Sequence, residues 1–483
     1  MNWEPVIGIE VHVELMTESK MFCGCAVEFG AEPNTNICPT CLGLPGALPV
    51  PNRKAIESIM AIGLALNCEV MPRSVFHRKN YFYADLPKNY QISQFDVPVC
   101  VNGYLDIEVD GDTRRVSLER AHMEEDTGKS THIGEGGRIH SATSTLLDFN
   151  RSGVPLVEIV SRPDIYSAAE ARAYASGLRA VVAELGVSDA RLEEGSIRFD
   201  ANISIRPRGD ETLGTKVEIK NMNSFRSLER AVDYEIQRQI EVVESGGEVV
   251  METRHWDEEA GVTRSMRTKE GSSDYRYFMD PDLAPMAMSP QWIDEVRATL
   301  PELPGDRLQR YIEGGLEPAL AGVLSGSNKE MRDLHDSAVA EGADTREAAN
   351  WVTGEVTSWA RRHGSEDSEI PLTGADLAGL LRLIGEGTVS SSAAKEVLDG
   401  VLGGEGSPAE VARSRDLIQI TDTSVLESAV DDVLAHNPKA VADYSSGEHK
   451  IVGFLVGQVM AATQGKADPR AVNELIRSRL DGS

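Results

Sequence analysis

The stretch Ile7-Gly-Ile-Glu-Val-His-Val-Glu-Leu15 sets Ile9, Val11, Val13 and Leu15 in strict alternation with Glu10, His12 and Glu14. Strand residues two apart share a face, so this reads as a β-strand with one apolar and one ionisable face. The pattern returns at 197–206, where Ile197, Phe199, Ala201, Ile203 and Ile205 alternate with Arg198, Asp200, Asn202, Ser204 and Arg206. It returns again at 216–220, where Val217 and Ile219 alternate with Lys216, Glu218 and Lys220. An ordinary surface strand would carry Thr and Ser here. Three strands bearing acids, bases and amides point to a polar sheet face able to hold metal ions and phosphates. A plain solvated sheet face is the competing reading.

At 483 residues the chain exceeds one ordinary core, so two to four domains are expected. Its 48 basic and 77 acidic residues leave a net charge of −29, which argues against a general nucleic-acid or membrane binder but allows a local basic groove. No segment approaches the roughly 20 apolar residues of a membrane span, and the start shows no basic region followed by an apolar run. Six cysteines in this length are no disulfide scaffold, so a reducing, cytoplasmic setting is expected.

Residues 1–292 mix short strand runs with helical stretches at 53–66, 168–185 and 227–243, as in an α+β domain with a mainly antiparallel sheet. Beyond about Pro290, Ala, Leu, Glu and Arg take over in amphipathic runs, and Pro301-Glu-Leu-Pro304 reads as the hinge. A helix pair broken at Gly385 and Gly387 is expected over 374–398, then a linker at Gly403-Gly-Glu-Gly-Ser-Pro408. This gives an all-α domain over 293–405 and a small α-helical tail over 406–483. Asp468 and Pro469 cap and open the last helix.

Cys23-x-Cys25 and Cys38-x-x-Cys41 form two close pairs. Four thiolates so placed can close a tetrahedral zinc site with no open position, hence a structural one; free thiols or a redox pair are the alternatives. Cys68 and Cys100 read as ordinary buried residues. Arg120-Ala-His-Met-Glu-Glu-Asp126 gathers three acids before Thr127-Gly-Lys-Ser130. Gly-Lys-Ser is no phosphate loop, because Met123 stands where the motif needs its first glycine. Glu124 or Glu125, with Glu10 and Glu218, could supply oxygen ligands to magnesium, against a charged turn as the alternative.

Residues 76–91 interleave Tyr and Phe with Lys79, Asn80, Lys88 and Asn89, a chemistry suited to stacking on a base and pairing with phosphate. A second block, 264–277, repeats it with Arg267, Lys269, Tyr275, Arg276 and Tyr277. No nucleophile elbow, zinc-protease His pair or dinucleotide fingerprint is present in the sequence.

Several of these stretches match one family. They include Ile7–Leu15, Arg78-Lys-Asn-Tyr-Phe-Tyr83, Tyr90-Gln-Ile-Ser-Gln-Phe95, His122-Met-Glu-Glu-Asp126, Pro155-Leu-Val-Glu-Ile-Val-Ser161, Asp200-Ala-Asn-Ile-Ser204, Lys220-Asn-Met-Asn-Ser-Phe225, Asp274-Tyr-Arg-Tyr-Phe278 and Gly453-Phe-Leu-Val-Gly-Gln458. The chain resembles, almost end to end, the B subunits of the bacterial and organellar aspartyl/glutamyl-tRNA amidotransferases. The resemblance implies a catalytic cradle similar in fold to glutamine synthetase, then a helical domain, then a helical tail that touches tRNA.

It also implies a carbon–nitrogen ligase. ATP would phosphorylate the side-chain carboxylate of a tRNA-Gln mischarged with glutamate, or a tRNA-Asn mischarged with aspartate, and ammonia would displace the phosphate. A partner amidase, the A subunit, would release that ammonia from glutamine, and a small C subunit would complete a heterotrimer. Following the family's metal site, Glu10, His12 and Glu125 would hold magnesium, with Glu218 a weaker ligand. Lys79 and Lys88 would bind phosphate or line the ammonia route. Arg198 and Arg206 are candidate nucleotide contacts, while Asp200, Asn202 and Lys220 enter from strand facing alone. The four cysteines occur in only some members, so zinc is dispensable for the chemistry. In the tail, Lys450, Lys466, Arg470, Arg477 and Arg479 are candidates for tRNA phosphates, against ordinary solvated helix charge as the alternative. Two other readings stand beside this one: a tRNA-holding scaffold without chemistry, and a free-standing ligase for a small amino acid, which would not need the helical domains.

Overall fold

The computed structural model describes residues 3–134, 142–268, 275–363, 370–420, 423–463 and 465–481. It divides into two units, Met1–Gly305 and Asp306–Ser483.

The first unit is built on a ten-stranded sheet. Its main strands are β1 (Trp3–Glu14), β2 (Asp112–Glu125), β3 (Pro155–Ser161), β4 (Ile197–Pro207), β5 (Val217–Lys220), β6 (Glu252–Asp257) and β7 (Val262–Thr268). They lie in the order β7-β6-β5-β4-β1-β3-β2, antiparallel except for β5 beside β6. The sheet is thus mainly antiparallel, in an α+β unit. β1 is central because its apolar residues pack fully on one side: Ile7, Ile9, Val11 and Val13 are all buried.

Three helices supply the other half of that core: α1 (Arg53–Ala65), α2 (Ala168–Glu184) and α3 (Phe225–Glu244). Each starts at a polar cap whose side chain accepts orphan backbone N–H groups: Asn52 from Lys54 and Ala55, Ser167 from Glu170, and Ser224 from Ser227. A fourth helix, α4 (Pro290–Arg297), packs on α1 through Val296 and Trp292, so this core runs on to Leu303. The helices cover one sheet face; the ionisable side chains of β1, β4 and β5 occupy the other.

The second unit is helical. One core gathers Leu324, Ala338, Val352, Leu377, Val397 and Val411. The helix pair Gly374–Gly385 and Ser391–Leu402 belongs to it, and so does the helix Pro408–Ser414 that follows the glycine-rich turn. A separate cluster gathers Val430, Tyr444, Leu455, Val472 and Ile476. Asp468 accepts the Arg470 N–H at the start of the last helix, Pro469–Asp481. Among the described residues no helix is long and apolar enough to cross a membrane.

Candidate active site

Strand register assembles the polar face. Glu10 on β1 stands opposite Asp200 on β4, and His12 stands opposite Arg198 on one side and Glu158 on the other. Glu158 on β3 in turn stands opposite His122 on β2, while Asn202 pairs with Glu218 on β5. Two clusters result. In the first, carboxylate oxygens of Glu10, Asp200 and Glu218 lie within 4.8 Å of one another. Lys220 bonds Asp200 and reaches Glu218 at 3.0 Å, and Asn202 donates to Glu10 at 3.0 Å. Three carboxylates against one ammonium leave an excess of negative charge. Burial, then repulsion from Glu158, Glu218 and Asp200, raises the Glu10 carboxyl above its ordinary range. Such a set of hard oxygens fits a divalent cation such as magnesium.

The second cluster brings His12, Glu124 and Glu158 within 4.8 Å of one another. His122 Nε2 lies 3.2 Å from Glu158 and 3.6 Å from Glu124. Burial alone would lower the His122 imidazolium, but Glu158 and Glu124 carry it up to about 9. Burial also opposes ionised Glu158 and Glu124, yet His122 holds Glu158 down at about 2 and Lys79, 3.6 Å away, holds Glu124 well below its usual value. Ser93 and Gln91 donate to the Glu124 oxygens at 2.8 and 3.1 Å.

The small sheet of His77–Asn80, Tyr90–Ser93 and Phe278–Met279 flanks this cluster. Lys79 sits over Tyr275, 5.3 Å from its ring, and Tyr277 stacks on Phe95 at 4.6 Å. The Asn80 side chain donates to the Tyr275 and Arg276 carbonyls, so the two aromatic-basic blocks form one wall. Lys269 and Asp274 lie outside the described residues.

Glu125 does not join Glu10 and His12. It neighbours Glu124 on β2 and therefore points to the opposite face. There its carboxylate bonds Lys88 and accepts the Ile92 N–H at 2.8 Å. Arg198 bridges Asp126 at 3.1 Å and Glu14 at 3.7 Å; the Glu14 carboxyl, half-buried and beside Asp126, is raised to about 8. Arg206 pairs with Glu4 at 2.9 Å, near the other end of β1. In the tail, Lys466 pairs with Asp416 and Arg479 with Asp431 and Glu427.

Sequence reading passed over His122 and Glu158. The signal for Glu158 was available: it is the one charge in the apolar run Pro155–Ser161. Lys20 was also passed over. It is 1% exposed, and its Nζ lies 3.8 Å from Cys41 Sγ. The four cysteines do converge, with their sulfurs mutually within 4.8 Å. The Cys38 N–H points at Cys41 Sγ, 3.1 Å away, and a Cys23 contact, this bond and the Lys20 charge hold the Cys41 thiol low. Four convergent sulfurs with a backbone donor and a buried cation fit a structural zinc. Cys68 and Cys100 are buried and unpaired with sulfur, as expected.

Comparison with known proteins shows the family. A model described as the GatB/GatE catalytic domain matches residues 5–294, and one described as the GatB domain matches 333–480. The chain belongs to the GatB/GatE family. It is 50% identical over 480 residues to a protein of Carboxydothermus hydrogenoformans, covering 99% of both chains. It is 51% identical over 482 residues to one of Moorella thermoacetica, covering 99% of this chain and all of the relative. A third, from Geobacter sulfurreducens, is 49% identical over 483 residues with both chains fully covered. All three are named as the B subunit of an aspartyl/glutamyl-tRNA(Asn/Gln) amidotransferase.

Proposed function

We propose that this chain is the ligase subunit of a tRNA-dependent amidotransferase. It activates the side-chain carboxylate of a glutamate or aspartate esterified to tRNA with ATP, then amidates it with ammonia from a partner amidase. The observation that carries this reading is the pair of acid clusters, Glu10–Asp200–Glu218 and His12–Glu124–Glu158, side by side on one sheet face.

A carboxylate becomes an electrophile only when one oxygen is made a leaving group. Transfer of the terminal phosphoryl group forms an acyl phosphate and releases ADP; attack by the ammonia lone pair expels phosphate and leaves the amide. Phosphoryl transfer needs positioning and charge neutralisation more than covalent catalysis. Magnesium held by the two clusters supplies that neutralisation when bound. Lys79 and Lys220 add cationic charge at the clusters they border, and Asn202 orients Glu10. The Tyr275–Tyr277 wall narrows water's access to Lys79. Lys88 and Glu125, on the far side of β2, suit the path along which ammonia arrives rather than the metal. A closed amidase–ligase assembly with a small third subunit keeps ammonia unprotonated in transit, and the helical tail contacts tRNA. The setting is the cytoplasm.

The test uses the complete assembly with mischarged tRNA, ATP and glutamine. Glu218→Gln should cut tRNA-dependent ADP release by about a hundredfold, the scale for removing one stabilising group at a developing charge, while tRNA binding persists. Unchanged ADP release would instead leave a tRNA-holding scaffold.

A further inference from the structure

We propose that the cysteine loop is the wall that sets the Lys88–Glu125 pair, so that metal at the four cysteines governs where Lys88 lies. The inference rests on the ligase reading only for its consequence in turnover; the positioning itself is read from contacts.

Gly43 follows the second cysteine pair and has φ +67, a left-handed conformation. A Cβ at Gly43 would sit 2.4 Å from Lys88 Cγ, 3.1 Å from its Cβ and 3.2 Å from its Cδ. The Lys88 stem therefore lies flat on the Gly43 backbone. It cannot step aside freely, because its ammonium bonds Glu125 and the two side chains are 6% and 3% exposed. Gly153 has φ +88, and a Cβ there would meet Lys20 Cδ at 3.5 Å, Cys41 Cβ at 3.6 Å and Glu125 Oε2 at 3.9 Å. Cys23, Cys41, Gly43, Lys88 and Glu125 all line one cavity of about 290 Å³. The cysteine loop thus packs on the Lys88 stem at Gly43 and shares a cavity with Glu125.

Residues 32–36 are tied to the segment 147–150, the Asn34 N–H donating to Asp148, the Asn36 N–H to the Asn150 side chain and the Asn150 amide to the Glu32 carbonyl, which leaves the Cys38–Leu44 turn to its own bonds and the Lys20 contact. Residues 27–51 contain no helix or strand, and much of the segment is exposed. The turn bonds to itself through Leu42 N–H to Cys38, Gly43 N–H to Thr40 and Leu44 N–H to Pro39. Phe29, Leu44, Leu48 and Val50 face solvent instead of anchoring it. A tetrathiolate zinc would cross-link Cys23 and Cys25, ahead of the loop, to Cys38 and Cys41 within it, and so fix Gly43 against Lys88.

The test reads Lys88 directly. The complete assembly is treated with an amine-acylating reagent before and after zinc is stripped by a thiol-directed mercurial plus chelator, followed by thiol regeneration, and lysine labelling is mapped by mass spectrometry. Zinc removal should raise Lys88 labelling severalfold while Lys79 and Lys220, in the polar cleft, stay as protected as before. Gly43→Ala should keep equimolar zinc yet show the same rise at Lys88, with lower amidation per ADP formed. The proposal is overturned if the purified protein lacks equimolar zinc, if Lys88 stays protected in both cases, or if Lys79 and Lys220 become exposed together with it, which marks general unfolding. If Lys88 labelling rises as expected but the untreated assembly forms no amide, the wall stands and the ligase reading fails.

Discussion

At the scale of single residues, the contrast between Glu124 and Glu125 shows what alternation can decide and what it cannot. Two adjacent acids on one strand must face apart, yet only the pairing of β2 with β3 reveals that Glu124 shares the face of His12. Identifying the polar face needed no structure, because Glu10, His12, Asp200 and Glu218 announce themselves between apolar neighbours. Which acid meets which is a matter of register, and register is a long-range property.

His122 carries a testable consequence. Its imidazolium is raised from about 6.5 in an unfolded chain to about 9 by Glu158 and Glu124. A raised value stabilises the fold fully below the unfolded pKa and is lost as pH climbs through the folded one. The metal-free chain should therefore lose thermal stability between neutral pH and about 9, by up to a few kcal/mol. A divalent ion bound at Glu124 and Glu158 would replace the His122 imidazolium as their partner, so calorimetry should find manganese binding tighter toward alkaline pH, with proton release. His122→Gln should flatten both profiles. The Lys88–Glu125 pair offers a second check. Breaking a buried pair from one side strands a charge, so Lys88→Met should cost about 3–5 kcal/mol in denaturant unfolding, and adding Glu125→Gln should restore part of it.

At the scale of elements, periodicity alone made the three helices of the first unit legible, and the structure adds their caps. Asn52 and Ser167 cap helices that start where the apolar recurrence begins, whereas α3, capped by Ser224, starts at Phe225, two residues before the expected 227. Ser167→Ala removes the acceptor for the Glu170 N–H at 3.1 Å and should lower stability by about 1 kcal/mol, read from thermal melts. The two-residue strands, such as Glu69–Val70 and Cys100–Val101, were not legible, since so short a run has no period to detect. Nor was the parallel pairing of β5 with β6 foreseeable: a crossover through α3 sets it, not any residue within either strand.

At the scale of the whole molecule, the excess of acid is local as well as global. Arg479 and Lys466 in the tail are each matched by carboxylates of the same unit, which tempers their pull on phosphate. Binding of tRNA by this acidic chain should weaken with added salt by a shallow slope, reflecting few phosphate contacts. The first unit has its own core, so a chain ending at Gly305 should unfold cooperatively and keep the manganese affinity of the full chain. A non-cooperative melt would show that the second unit is needed for that core. The change to helices beyond the proline-rich hinge was plain from composition. That the helix Pro408–Ser414 packs with what precedes it was hidden, because the glycine-rich turn before it reads as a linker.

The carboxylates of the first cluster come from Glu10, Asp200 and Glu218, and the aromatic wall is tied by Asn80 to Tyr275. Ribosomes deliver these parts in order and far apart in time. A nascent polypeptide interrupted before Glu218 emerges has no complete set of three carboxylates at that place, and one interrupted before Tyr275 leaves Lys79 only the Tyr81 ring. Abortive translation products of this gene are consequently born without a finished first cluster, and the paired clusters come into being only when most of the first unit has been synthesised.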